Sequence, residues 1–425
     1  MKKMFLSLSL ATFLLWGVSC TSANPAYCNS DADCHDPRFP VCDITIHGCV
    51  GGLGEAVRND GSDASADDGG LSDGDEDSGQ TDGADADGDS GSENYSDDDG
   101  APGDHEGEPG DTGGDADGQG NTDSDRQYIY VDDDTCPAEG SGTAADPFCS
   151  IQDAVDQALD GDLPVLVLPG TYQEDLRING SVSITGEGGQ AVVESRSCPG
   201  ILIMNRSTVI LSHLEISGEG GVRVTASSHA TISDNLIQET NCVGVDCQDS
   251  TCIVLRNMIR SNEQGGLNMS NSTYTVMNNI VVHNGQSGFF GGLQIRQAGA
   301  GSACAFNTLA FNQTSGMAPA GIACLTPTTI ENSIVWENGD AGGEQITGNC
   351  TLNFSDVGPD QGAPGGSNNI SADPRFVDKD NDDFHIEPDS PCVDRADPAS
   401  PLTDDIDGQP RPQGLRSDIG ADEAR

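Results

Sequence analysis

Lysine is almost missing from this chain. Lys2 and Lys3 stand at the extreme N-terminus, and Lys379 is the only lysine after them. Catalysis that relies on a lysine base is therefore confined to one position in the body of the protein. Positive charge of any kind is scarce: 18 Lys and Arg face 70 Asp and Glu, for a formal net charge of -52. Such a chain cannot gain affinity by neutralising phosphates, which excludes a general affinity for nucleic acid. Aromatic residues make up 4% of the total, so any large core must rest on Val, Ile and Leu. Beyond Val18 no stretch is apolar enough to span a bilayer.

Repetition is what the sequence does have. The segments His213-Leu-Glu-Ile216, Asn235-Leu-Ile-Gln238, Asn257-Met-Ile-Arg260, Asn279-Ile-Val-Val282, Asn307-Thr-Leu-Ala310 and Asn332-Ser-Ile-Val335 follow one another at spacings of 22, 22, 22, 28 and 25 residues. A period in this range marks a stacked solenoid. Each repeat is a set of short β-branched runs with no room for a helix, which reads as one coil of a parallel β-helix. Asn recurs five residues on as Asn262, Asn284 and Asn312, with Thr240 and Glu337 there in the flanking repeats. A corner Asn tolerates left-handed backbone geometry, and its amide can bond the Asn of the next coil as a ladder. Gly221, Gly244, Gly266, Gly292 and Gly321 each precede an apolar residue and are expected to supply the positive φ of a sharp corner. Alternating apolar and polar residues fit half-buried strands, and coils pairing in parallel stack about 4.8 Å apart.

Four segments precede or compose this body. Residues 1–20 read as a secretory signal, with Lys2 and Lys3 before the apolar run Met4 to Val18. Its end, Gly17-Val18-Ser19-Cys20, resembles a bacterial lipoprotein lipobox, although Gly17 departs from the usual Leu. The resemblance implies a diacylated Cys20 as the mature N-terminus and a membrane partner. Thr21, not an acidic residue, follows it, which implies the outer membrane and exposure at the cell surface. An ordinary cleaved signal and secretion is the alternative. Residues 21–50 hold Cys28, Cys34, Cys42 and Cys49, spaced as two disulfides of a small module would be. Zinc is the other reading, though it prefers closer pairs. The spacing resembles Cys-rich modules of exported proteins from myxobacteria and their relatives.

Residues 51–127 carry 25 Asp and Glu against two Arg, with almost nothing apolar. Such a segment cannot bury enough surface to offset its chain entropy, and it reads as a disordered, self-repelling stalk of roughly 50 Å or more. Its run Asp85-Ala-Asp87-Gly-Asp89 is not an EF-hand, because Ser90 and Ser96 stand where Gly and Glu are required.

The solenoid is expected over 128–425. A strand at Gln127–Val131 opens it. Ser150 to Leu159 is an amphipathic helix, with Ile151, Ala154, Val155, Ala158 and Leu159 on one face and Ser150 with Asp153 as a capping box. It can cover the open end of the coil. Cys136 and Cys149 are expected to close the loop between them. With Cys20 lipidated, fourteen cysteines remain, an even number that reads as disulfides throughout.

Phe148-Cys-Ser-Ile-Gln-Asp-Ala154, Leu168-Pro-Gly-Thr-Tyr172, Ile178 and Ile184-Thr-Gly-Glu-Gly188 resemble the first coils of pectin-lyase-like right-handed β-helix proteins. Asn369-Ile-Ser-Ala-Asp-Pro-Arg-Phe376, Asp383-Phe-His-Ile386, Ser390-Pro-Cys392, Asp405-Ile-Asp-Gly408 and Asp418-Ile-Gly-Ala-Asp-Glu423 are similar to the choice-of-anchor Q type closing domain, here 369–425. The resemblance implies an all-β, right-handed parallel β-helix with an N-terminal capping helix. It implies no single activity, since that superfamily holds lyases, hydrolases, epimerases and adhesins. The Gly-His-Gly, Asn-Thr-Asp and Arg-Ile-Lys sets of polygalacturonase-like hydrolases do not occur, and no carboxyl pair is evident in the central coils. An arginine base remains open through Arg223, Arg256, Arg260 or Arg296.

No catalytic residue is therefore assigned. Arg223, Asp246, Asn268 and Gln294 each follow a corner glycine and an apolar residue, with Arg296 two places on. They can form an outward polar column that reads a polymer, or an ordinary solvated face. Tyr274, Phe289 and Phe290 are candidate sugar platforms, with core or loop packing as the alternative. Asp378, Asp380 and Asp382 form an oxygen-rich loop able to take calcium, or an exposed acidic turn. The leading expectation is a surface lipoprotein that binds polysaccharide or another envelope ligand without catalysis. A polysaccharide lyase and a purely structural envelope protein are the alternatives. The anchor has a direct readout: cells grown with radioactive palmitate should label the chain but not its Cys20→Ala variant, and an unlabelled wild type would remove the lipidation.

Overall fold

The computed structural model describes residues 41–43, 48–50, 128–137, 140–161, 163–315, 320–339, 344–359 and 365–424. Cys20, Cys28, Cys34 and the acidic segment 51–127 lie outside the described residues. Val41–Asp43 and Gly48–Val50 pair as an antiparallel hairpin that sets Cys42 opposite Cys49.

From Ile129 onward the chain winds into a parallel β-helix of about eight turns with three strands per coil. One coil shows the plan. Val222–Val224 lies on a first face, His229–Ser233 on a second and Leu236–Thr240 on a third, after which the chain steps up to Val243–Gln248 on the first face again. The third face is a separate nine-stranded sheet. The other two merge where Ile322–Glu331 runs unbroken from one to the other. Alternation places every second residue inward. Ile201, Val222, Val245, Leu267, Leu293, Ile322 and Ile346 follow one another in register as a buried aliphatic column. A core of this shape is narrow, which is why 4% aromatics suffice.

The helix Ile151–Gly161 closes the N-terminal end, burying Ile151, Ala154, Val155 and Ala158 in the same core as Ile129 and Val165. Ser150 caps it weakly, its Oγ lying 3.4 Å from the Asp153 amide. Glu174 does more, because its carboxylate takes the Ile151 and Gln152 amides at 2.7 and 3.0 Å. An acidic group at a helix N-terminus satisfies amides that have no helical partner.

Two buried amide ladders run along the third face. Asn235, Asn257, Asn279 and Asn307 form one, each donating its backbone and side-chain amides to the next Oδ1 at 3.0–3.1 Å, and Ser333 and Ser355 then continue it. Thr240, Asn262, Asn284, Asn312 and Asn338 form the other, which ends on Gln345. The repeat register corrects the sequence alignment in the outer coils. Asn235 stands level with Leu214 and not His213, and Ser333 and Asn338 hold the places expected for Asn332 and Glu337.

The corners also differ from expectation. The left-handed residues are those just before the ladder positions, including Asp234, Arg256, Asn278, Phe306 and Asn332 on one side and Ser261, His283, Phe311 and Glu337 on the other. The ladder amide bridges each bend, as when Asn257 Nδ2 donates to Leu255 O at 2.9 Å. The column glycines 221, 244, 266, 292 and 321 do not adopt positive φ. They are glycine because of close approach. A Cβ on Gly266 would lie 2.5 Å from Val281 Cγ1 and 2.7 Å from Gly292 O, and one on Gly244 would lie 2.9 Å from Asn262 Nδ2.

Disulfides join Cys136 to Cys149, Cys198 to Cys242, Cys247 to Cys252 and Cys324 to Cys350. The even count does not mean full pairing: Cys304 and Cys392 are buried free thiols. Burial pushes the Cys304 thiol up to about 12.

The C-terminal segment folds back across the coils. Phe384 and Ala421 pack on Ile280, Val282 and Ala310, while Ile386 and Ile419 pack on Ile334 and Trp336. Arg256 pins it through Asp404 (3.0 Å), and Arg260 pairs with Asp382. At its centre Arg411, with a fully buried side chain, holds Glu423 at 3.0 Å, donates to the carbonyls of Asp404, Asp418 and Gly420, and lies 4.9 Å from the Phe306 ring centroid.

Two predictions follow from this packing. The Asn284 side chain takes part in five hydrogen bonds. Asn284→Ala should cost about 3 kcal/mol by leaving buried partners unpaired, read as a lower denaturant midpoint, while Asn241→Ala on the surface should shift it by less than about 0.5 kcal/mol. The second concerns pH. Burial pushes the Asp356 and Asp418 carboxyls up to about 6 from 3.8. Each stays protonated in the folded chain after its unfolded counterpart has ionised, so its contribution to stability falls as pH rises from about 4 through 6. Half-buried His229 and His283, shifted down by partial burial, act in the opposite direction as pH falls through the ordinary histidine range. Asp356→Asn isolates the carboxyl: its melting temperature relative to wild type should be higher at pH 7.5 than at pH 5. A pH-independent difference would contradict the assignment.

Candidate functional site

On the first face the parallel register brings Arg223, Asp246, Asn268 and Gln294 level with one another on four successive coils. Leu202 lies below Arg223 and Ala323 above Gln294, so the polar column has defined ends. The outward phase of the strand produces the column, and mutual hydrogen bonds hold it. Asp246 is buried and serves as the hub: its carboxylate accepts from Arg223 Nε, Gln248 Nε2 and Asn268 Nδ2, each at 2.8 Å. Arg223 thereby offsets the charge that burial would otherwise penalise. The Asn268 amide is oriented by Asp246, since the reverse orientation would face two acceptors. Its Oδ1 is buried and, among the described residues, has no hydrogen-bond partner. Gln294 Oε1 accepts from Arg296 Nε at 2.8 Å.

Beside the upper half of this column lies a cleft of about 520 Å³, bounded by Asn241, Glu263, Asn268, Phe289, Gln294 and Arg296. Its far wall comes from the loop inserted in the coil between Val282 and Leu293. That loop is pinned rather than loose. The Ser287 amide donates to Glu263 O at 2.9 Å, Ser287 Oγ bonds the Glu263 carboxylate, and Ser315 Oγ donates to Gly288 O at 2.9 Å. Phe290 is buried against Gly265, where a Cβ would sit 2.5 Å from its ring. Anchoring Phe290 leaves its neighbour Phe289 86% exposed at the cleft. The two phenylalanines thus divide the roles of packing and presentation. Tyr274 belongs to neither: it is buried inside the solenoid and is not a platform, and burial pushes its phenol up.

The candidate arginine bases are unequal. Arg223 is paired with Asp246, Arg256 with Asp234 and Asp404, and Arg260 with Asp382. Among the described residues no carboxylate pairs with Arg296, which is exposed at the cleft.

The acidic loop does not gather its three carboxylates. Asp378 accepts from Asn381 Nδ2 at 2.7 Å, and Asp382 turns to Arg260, with His283 Nε2 3.6 Å away. Among the described residues, two other groups bring carboxylates close enough to share an ion: His385 with Asp407 and Asp422, and Asp132, Asp133 and Asp134. Neither is built for one. His385 lies between Asp407 (3.1 Å) and Asp383 (2.6 Å), whose hydrogen bonds push it up to about 9, so it holds the proton that a metal would have to displace. Asp132 and Asp133 spend oxygens on the amides of Asp134 and Thr171.

Residues 176–309 match the family described as right handed beta helix region. Fold and match together define a right-handed parallel β-helix protein. No curated protein matches the chain. Among solved structures it is similar to the A-module of the mannuronan C-5 epimerase AlgE6 of Azotobacter vinelandii, at 14% identity over 52% of this chain and 70% of that one, with a TM-score of 0.35. It is also similar to the pectate lyase Pel9A, at 11% identity over 71% of this chain and 96% of that one, with a TM-score of 0.31.

Proposed function

We propose that this protein binds polysaccharide without cleaving it, in the cleft beside the polar column of the first face. The observation that carries the reading is the pairing of an exposed aromatic ring, on a loop pinned by its buried neighbour Phe290, with a row of fixed polar groups. Phe289 offers an apolar plate, while Arg296 and the Gln294–Asn268 edge offer hydrogen-bonding groups held in place before any ligand arrives. Sugars present that combination, an apolar ring face with hydroxyls around its rim, and a preformed site loses little entropy on binding. Because strand register sets the spacing of the column, a linear polymer lying along the solenoid axis would meet one polar residue of the column on each of four successive coils. In this reading Cys20 is diacylated at the outer membrane, residues 21–50 form a disulfide module and the acidic 51–127 segment serves as a stalk. Together they present the solenoid outside the cell.

A lyase is the second reading, favoured by one observation: Arg296 is the candidate base without a carboxylate partner. A single experiment separates the readings. The purified chain is incubated with neutral and acidic polysaccharides, with and without calcium, and products are read by mass spectrometry alongside retention on the same polymers. The expected result is intact polymer, retention of wild type, and retention weakened about tenfold in Phe289→Ala with an unchanged melting temperature. Unsaturated oligosaccharides would establish the lyase. Neither products nor retention across the panel would leave a structural envelope role.

A further inference from the structure

The closing segment passes over the outer side of the second face without filling the space beneath it. A cleft of about 340 Å³ lies there, between the strands and Pro401 and Leu402 of the segment. It shares no residue with the cleft of the first face. Register places Leu255, Met277, Ala305 and Glu331 in one outward column along its floor. The column is apolar until its last member. Glu331 lines the cleft, and among the described residues no hydrogen bond or ion pair engages its carboxylate. Asp397 brings a second carboxylate to the same lining, with one oxygen accepting the Ala399 amide at 2.9 Å. The arginines that meet this part of the closing segment are occupied elsewhere, Arg256 with Asp234 and Asp404 and Arg411 with Glu423. The cleft therefore has an apolar floor and roof, two carboxylates and, among the described residues, no cation in its lining.

We propose that this cleft binds a small amine, with its apolar body on Leu255, Met277 and Ala305 and its ammonium on Glu331. The volume falls in the range of small-molecule sites, which are mostly apolar with a few polar groups that orient the ligand. A carboxylate at the end of an apolar surface rewards a cation and penalises an anion of the same shape. The inference stands apart from polysaccharide binding, since it rests on another face.

Titration calorimetry of the full chain near pH 7 tests it, with phenethylammonium as the probe and 2-phenylethanol and 3-phenylpropionate as its neutral and anionic counterparts. Saturable one-to-one binding of the ammonium is expected, at least about tenfold tighter than the alcohol, with no binding of the carboxylate. Glu331→Gln should erase the preference for the ammonium over the alcohol, and Met277→Trp should block both by occupying the floor. Melting temperatures of the variants confirm that they fold. Equal binding of all three probes, binding of none, or a preference that survives Glu331→Gln would overturn the proposal, and the last of these does not depend on Met277→Trp folding.

Discussion

Each coil of this protein is too thin to bury its own polar corners, and the amide ladders are the physical answer. An Asn side chain carries a donor pair and an acceptor on a short stem, so it can bond the bend it sits in and the equivalent residue one coil away. Asn257 does both, donating to Leu255 O and to Asn279 Oδ1. The bends cost energy because non-glycine residues such as Arg256 and His283 are held left-handed. The ladder contact compensates only when a neighbouring coil is present. Stability is therefore a property of the stack and not of a coil. The glycine column depends on the same ladder, since Gly244 and Gly266 leave the room that Asn262 and Asn284 occupy.

How far the sequence could be read follows from the range of the interactions involved. The period, the alternation and the ladder Asn at 235, 257, 279, 307, 262, 284 and 312 are local and were legible. So was the stacking of Arg223, Asp246, Asn268 and Gln294, because a constant offset from the corner glycine is enough to define it. Legibility ends where one residue is gained or lost. Ser333, level with Asn307, hides beside Asn332, which looks like the repeat residue, and the same shift puts Asn338 where Glu337 was expected. The glycine positions are legible in the sequence but their cause is not: φ is a local property, whereas their constraint comes from the next coil. Tyr274 illustrates another limit, since a one-residue phase decides whether an aromatic faces water or core. The cleft under the closing segment could not be read at all, because it joins Met277 to Leu402 across the chain.

Charge is organised by a small number of arginines. Net charge is strongly negative, yet Arg223, Arg256, Arg260 and Arg411 each sit where a carboxylate would otherwise be left buried or crowded. The guanidinium suits these places because its fixed fork can serve several acceptors at once, as Arg411 does with Glu423 and three carbonyls. The scarcity of lysine fits this pattern, because a point charge would satisfy fewer of those groups.

The apolar strip formed by Ile280, Val282, Ala310, Ile334 and Trp336 is covered by residues synthesised later, up to Ile419 and Ala421. A chain emerging N-terminus first must carry that strip bare until Phe384, Ile386, Ile419 and Ala421 have emerged. Products cut short of Ile419, whether by early termination or proteolysis, would keep a sticky flank that the folded closing segment conceals. The segment from Phe376 to Ala421 thus acts as a seal, and a chain that lacks it turns that strip toward its neighbours.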